Sequence, residues 1–170
     1  MNILAYTSSD RPYNSLRPEH EIYIGMSKAG QNVTIITHQN ELTSQRFLDY
    51  NIDLIAQPIT KKISQESIRL IRKTITEKSI DIVFATNSKT IPNCALACIG
   101  LPTKLVVYRG TASGLYWYDP GNYLSVLNPR VDAIICVSKY VYDYVASLKV
   151  LRHKNVTAAY SATFRSLIPV

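Results

Sequence analysis

The chain has 170 residues, 46% of them hydrophobic and 18% charged, a balance that excludes a disordered segment and leaves room for one folded core. No apolar run approaches the ~18 residues of a membrane span, and Met1 to Tyr6 lacks the basic and apolar regions of a signal peptide. The net charge of +7 favours phosphate-bearing partners, or is no more than a lysine-rich soluble surface.

In chain order, Ile3 to Tyr6 reads as a first strand, followed by a polar loop from Thr7 to about Leu16 with Pro12 and Asn14 as turn residues. Pro18 is expected to open a helix at a first-turn position, with Glu19 and Glu21 favourably near its amino end and Gly30 as its carboxyl cap. Val33 to Thr37 is a β-branched second strand, and His38 to Arg46 is a polar stretch. Asp53 to Ala56 is a weaker third strand, stopped by Pro58. Ser64 and Ser67 are candidate caps of a helix whose Ile68, Ile71 and Ile75 recur at helical spacing. Asp81 leads into the strand Ile82 to Ala85, Pro92 begins or interrupts the next helix, and Gly100 ends it. Leu105 to Tyr108 is a strand, and Arg109 to Gly121 a long loop with at most a turn of helix. Ala133 to Val137 is a strand, Ser138 caps a helix to about Leu148, and Asn155 to Ala159 is the last strand.

Continuous apolar strands alternating with helices imply an α/β domain. The expected form is one Rossmann-like three-layer unit over residues 1–160, with a mostly parallel sheet of about six or seven strands. Residues 161–170 are a tail or the start of a further domain. Cys94, Cys98 and Cys136 read as buried apolar residues rather than a disulfide framework or a metal site, which suits a cytoplasmic protein.

Three segments carry a family resemblance. They are Gly30 to Thr37, a helix end and β-branched strand; Asp81 to Asn87, leading through a helix to Gly100 to Val107; and Val131 to Ser138, followed by a helix and Lys154 to Thr157. In order and spacing they resemble the N-terminal, acceptor-side half of family 4 glycosyltransferases with the B-type two-domain fold. The resemblance implies a retaining enzyme that transfers a hexose from a nucleotide-diphosphate sugar to a glycan or lipid-linked acceptor, in bacterial surface polysaccharide synthesis. The donor would bind a C-terminal domain missing from this chain, so the chain alone would be inactive. No cofactor is implied, and no metal, since no Asp-any-Asp motif is present. The family's glycine-rich loop after the first strand is absent here, and Tyr108-Arg109-Gly110 stands where the family commonly has histidine and glycine.

Ligands of open parallel sheets bind beyond the carboxyl ends of the strands, which selects three loops. Ser8, Ser9, Asp10 and Arg11 suit sugar hydroxyls or a phosphate, or form a solvated turn. Asn87, Ser88 and Lys89 precede a helix whose amino end favours anions, with Asn87 or Ser88 as its cap in the structural alternative. Arg109, with Gly110 and Thr111, is the candidate catalytic residue, able to stabilise a departing diphosphate; the alternative is an arginine paired to an acidic neighbour. Tyr116, Trp117 and Tyr118 either stack on a sugar, contact a lipid-linked acceptor or plug the loop into the core. His20 reads as a surface or capping histidine, with a base as the alternative, and His38 as a plain polar residue, with a place in the cleft as the alternative; Arg69, Arg72 and Lys73, with Lys61 and Lys62 upstream, form a basic helix face. That face is either solvated or seats the protein peripherally on the inner face of the membrane.

A solitary binding module that recruits acceptor or membrane for a separate catalytic subunit is the second reading. An oxidoreductase is disfavoured because Gly-any-Gly-any-any-Gly is missing after the first strand, and nucleic acid because the basic residues are dispersed.

Overall fold

The computed structural model describes residues 1–7, 13–38, 41–57, 61–152 and 154–158, with the backbone alone for 13–18 and 41–44. Its elements are β1 (Asn2–Tyr6), α1 (Tyr13–Lys28), β2 (Asn32–Thr37), α2 (Glu41–Leu48), β3 (Asp53–Ala56), α3 (Gln65–Glu77), β4 (Ile82–Ala85), α4 (Thr90–Ala97), β5 (Lys104–Arg109), α5 (Pro120–Tyr123), β6 (Ala133–Cys136), α6 (Lys139–Ser147), a 3-10 turn (Lys149–Leu151) and β7 (Asn155–Ala158). Among the described residues the strands form one sheet in the order β3-β2-β1-β4-β5-β6-β7, and every pairing is parallel. The expected α/β Rossmann-like sheet is therefore present, with seven strands.

Side chains alternate between the two faces of each strand, and both faces are apolar. Leu4, Tyr6, Val83, Leu105, Val107 and Ile134 meet Ile71 and Ile75 of α3, Cys94 of α4, and Val141 and Val145 of α6. On the other face Ile3, Ala5, Val33, Ile35 and Phe84 meet Ile22 and Tyr23 of α1 and Phe47 of α2. Further along this second face Val106, Tyr108 and Ile135 stay half-buried, so the described helices cover it less completely towards β7.

Local chemistry sets the helix ends. Gly30 takes φ 78°, and the amides of Gly30 and Gln31 donate to the carbonyls of Ser27 (2.9 Å) and Met26 (3.1 Å), the six-to-one closure that only a left-handed residue permits. The Ser64 hydroxyl accepts from the Ser67 amide at 3.3 Å and caps α3. Ser67 itself lies buried inside that helix, where its hydroxyl accepts from Tyr6 Oη at 3.1 Å. Ser138 caps α6 through the Val141 amide at 3.3 Å. Buried Asn93 ties α4 to the chain before α3: its Oδ1 accepts from the Ser64 amide (2.8 Å), and its Nδ2 donates to the carbonyls of Lys62 (3.1 Å) and Lys89 (2.9 Å).

At the amino ends of the strands Arg130 clasps three segments. Its Nε donates to the Cys98 carbonyl (3.1 Å), its Nη2 to those of Leu101 (3.2 Å) and Thr103 (2.5 Å), and its Nη1 to Asp132 Oδ2 (2.5 Å). The same carboxylate oxygen accepts from the Leu105 amide at 2.8 Å.

Two sequence expectations are corrected. Helix α1 begins at Tyr13, not at Pro18, so Pro18 lies in its second turn and removes the N–H that would bond the Asn14 carbonyl. The stretch after β2 contains the helix α2, whose polar sequence hid a buried anchor, Phe47. The three cysteines are free and buried as expected. Burial pushes the Cys94 thiol well above its ordinary value and those of Cys98 and Cys136 up to about 11, which leaves them protonated.

Candidate functional site

Strand order reverses between β1 and β4, so the chains leaving these two strands diverge to opposite faces and open a crevice at the carboxyl edge. Beside it, over the ends of β4 and β5, lies a cavity of about 370 Å³. Its walls include Asn87, Ser88, Arg109, Gly110 and Thr111, so the structure brings together five of the residues singled out in the sequence. Lys89 stands outside this lining, exposed at the start of α4. Ser8, Ser9, Asp10 and Arg11 lie outside the described residues.

Asn87 works as a turn former as well as a wall. Its Oδ1 accepts from the amides of Lys89 and Thr90, both at 3.0 Å, and its carbonyl accepts from the Thr90 hydroxyl at 3.1 Å. This fixes the loop that presents Ser88 to the cavity.

Arg109 ends β5, and its guanidinium is the post around which the next loop is wound. Nε donates to the Thr111 carbonyl at 2.7 Å and Nη2 to the Ser113 carbonyl at 2.5 Å, while Gly114 (φ 77°) supplies the left-handed turn. Its partners are thus carbonyls and not the acidic neighbour of the structural alternative. Burial lowers its pKa, but a guanidinium remains charged in proteins, so a fixed cation stands in the cavity wall.

Ser113 lines the cavity from the same loop as Arg109, and Tyr108, Asn122 and Ser125 also line it and escaped the sequence reading. A signal was available for Asn122: Asp119-Pro120-Gly121 is a capped helix start, in which Asp119 Oδ1 accepts from the Gly121 amide at 2.8 Å. Asn122 Nδ2 then donates to the Tyr116 carbonyl at 3.2 Å and fastens this segment to the preceding loop.

Glu19 is the other omission. It was read only as a favourable charge near a helix end, yet its Oε2 accepts from the Thr7 hydroxyl at 2.9 Å, placing a carboxylate at the end of β1. Burial, and next the Glu19 charge, raise the pKa of Tyr108 and of the fully buried Tyr23, so both stay neutral phenols.

His20 is buried edge-on against Phe47, with ring centroids 4.9 Å apart. Burial, helped by the Arg46 charge, lowers its pKa to about 4, so it is a neutral core residue. His38 is exposed and does not line the cavity. Of the basic face of α3, Arg72 donates to the carbonyls of Ala97 (3.0 Å) and Ile99 (2.8 Å), and Lys73 lies 3.8 Å from Glu77. Tyr116, Trp117 and Tyr118 do not plug the core: they are exposed, Tyr116 stacked on Tyr118 with ring centroids 5.3 Å apart. Among the described residues no helix is long and apolar enough to cross a membrane, and no group of three His, Cys, Asp or Glu is placed to hold a metal.

The chain finds no significant match among curated proteins. A glycosyltransferase from Rickettsia africae superposes with a TM-score of 0.71 at 14% identity, over 94% of this chain and 42% of its own. HepE of Anabaena, in complex with UDP-glucose, gives 0.66 at 12% identity, over 95% of this chain and 44% of its own. MurG of Acinetobacter baumannii gives 0.58 at 9% identity, over 83% and 42%. At these identities the likeness is one of fold, and the chain spans less than half the length of each. The model of Glycosyltransferase Family 4 matches residues 20–161, most of the chain and all three segments of the resemblance. With its parallel sheet, its cavity at the carboxyl edge and this match, the chain belongs to glycosyltransferase family 4.

Proposed function

We propose that the chain is the acceptor-side half of a retaining glycosyltransferase, which moves a hexose from a nucleotide-diphosphate sugar to a glycan or lipid-linked acceptor. One observation carries the reading: a polar cavity with a fixed cation in its wall sits at the carboxyl edge of a family 4 domain. Hydroxyl and amide groups of Ser88, Thr111 and Asn87 suit the hydroxyls of a sugar acceptor. Arg109 Nη1 has no protein partner among the described residues, and the charge of its guanidinium is aimed at the diphosphate that leaves the donor. The donor site itself belongs to the length that the solved relatives have and this chain does not; the UDP-glucose bound to HepE supports a nucleotide-sugar donor. The place of the reaction is bacterial surface polysaccharide synthesis at the cytoplasmic side of the membrane, and the chain alone does not turn over.

Transfer and donor hydrolysis are measured against a panel of nucleotide sugars, for this chain alone and for this chain joined to a family 4 donor domain. Activity in the joined form only, with the anomeric configuration retained by NMR of the product, is the expected result. Turnover by the 170-residue chain alone refutes the half-enzyme reading, and an inverted product refutes retention.

A further inference from the structure

Opposite charges flank the carboxyl edge of the sheet, one on each face. Arg109 leaves β5 on the face that α6 covers, where Cys136 and Tyr144 bear on its charge. Glu19 comes from α1, which covers the other face, and its Oε2 accepts from the Thr7 hydroxyl at 2.9 Å. Burial, and next the Glu19 charge, raises the pKa of Tyr23 and of Tyr108, so the carboxylate stands close to both phenols. Tyr108 also lines the cavity.

Beneath the crevice lies Tyr23, fully buried, its ring edge-on to Phe84 at 6.1 Å between centroids. Its hydroxyl lies near those of Thr7 and Thr86, which favour its ionised form against burial and Glu19. Yet Tyr23 Oη and Thr86 Oγ1 are both enclosed, and neither closes a hydrogen bond. Thr86 follows β4 directly and is part of the cavity wall. Buried hydroxyls are nearly always bonded, so two unbonded ones where β1 and β4 diverge point to a polar ligand there.

Charge selects its class. A carboxylate can accept about four hydrogen bonds, and Glu19 accepts one, from Thr7. No Lys or Arg among the described residues is paired with it. A phosphate or carboxylate on the ligand is repelled by Glu19 and drawn to Arg109, and an ammonium is disfavoured by the net charge of +7. Neutral hydroxyls meet neither obstacle, and two on adjacent carbons can donate to one carboxylate together.

We propose that Glu19 binds the acceptor sugar through two adjacent free hydroxyls at the crevice between β1 and β4, with Thr7 and Tyr23 as positioning residues for its carboxylate. Its role towards an acceptor rests on the proposed transfer reaction; its selectivity for a diol does not, and is read without any transfer.

The isotope-labelled 170-residue chain is titrated by NMR with the methyl glycosides of glucose, galactose and mannose, and with glucosamine and glucuronate as charged probes. At least one of the three glycosides shifts the amide signals of Thr7 and Thr86 saturably. Its 3-deoxy counterpart, which has no adjacent pair of hydroxyls, binds about tenfold or more weaker. Glu19→Gln weakens binding by about tenfold or more, whereas Glu21→Gln on the same helix leaves it within about twofold. Thr7→Val and Tyr23→Phe each weaken it by about threefold or more, and Thr7→Ser restores it, with signal dispersion showing each variant folded. In the joined enzyme Glu19→Gln raises the acceptor KM by about tenfold. No saturable shift, equal binding of the 3-deoxy counterpart, tighter binding of either charged probe, or undiminished binding by Glu19→Gln overturns the proposal. Diol binding without transfer by the joined form defeats the half-enzyme reading alone. Transfer with an acceptor KM indifferent to Glu19→Gln defeats the Glu19 assignment alone.

Discussion

Replacing Arg130 with Met retains most of the aliphatic stem and removes the guanidinium that joins the α4–β5 connection to the start of β6. Four hydrogen bonds disappear: to the carbonyls of Cys98, Leu101 and Thr103, and to Asp132. Charge-assisted bonds contribute about 1.5–3 kcal/mol each when desolvated. The side chains are 21% and 29% exposed, so the sum is discounted heavily for solvent, and breaking such a pair from one side costs about 3 kcal/mol. For a chain of this length that lowers Tm by about 6–12 °C. Lys104→Ala is the control, since its 3.6 Å contact with Asp132 is made by a side chain 68% exposed and contributes less than about 0.5 kcal/mol.

Acid titration adds an independent reading of the same clasp. Burial tends to raise the Asp132 pKa, but the Leu105 amide, the Arg130 guanidinium and Lys104 together hold it below its ordinary value. A carboxylate depressed in the fold stabilises it above the unfolded pKa, and that contribution is lost as pH falls through the folded value. In Arg130→Met the Asp132 pKa moves back towards its ordinary value, so this window narrows and the acid loss that Asp132 causes becomes smaller. The assay is urea unfolding followed by circular dichroism across pH. A loss for Arg130→Met no larger than that for Lys104→Ala refutes the clasp as a source of stability.

Arg109→Ala in the joined, active form is expected to lower kcat by about 100-fold, the effect of removing one preorganised charge donor. Arg109→Lys restores most of it if the charge on the diphosphate matters, and none if winding the loop on two carbonyls is the whole role; wild-type kcat in the alanine variant refutes both. His20 supplies a pH signature: with its folded pKa at about 4 against an ordinary 6.5, the unfolded chain binds the extra proton between these values. Stability is thus full above about pH 6.5 and falls towards pH 4, by up to about 3 kcal/mol. His20→Phe flattens this window in urea unfolding, and an unchanged slope would show that His20 does not titrate there.

The parts legible in the sequence are those where one residue's local chemistry decides the outcome. Gly30 had to end α1 because the closure of that helix needs a left-handed residue, and Ser64 and Ser138 cap because their hydroxyls replace missing helical partners. β-branched runs such as Val33 to Thr37 became central strands because both faces of a parallel sheet are buried. What failed was decided by tertiary packing. The turn before Pro18 looked like a loop because its composition is polar, and the polar sequence around Phe47 concealed α2 until that ring was seen in the core. The same limit applies to the site. Loops at strand ends are predictable from topology, so Asn87, Ser88 and Arg109 could be placed at one edge from the chain alone. Asn122 and Glu19 could not, because they reach that edge from helices whose position depends on contacts distant in sequence: Asn122 through the Tyr116 carbonyl, and Glu19 through Thr7. Arg109 shows the remaining gap. A cation at a strand end was visible, but that two of its nitrogens wind the neighbouring loop is a property of the folded backbone, and it is why a charge and a scaffold must be separated by Lys rather than by Ala alone.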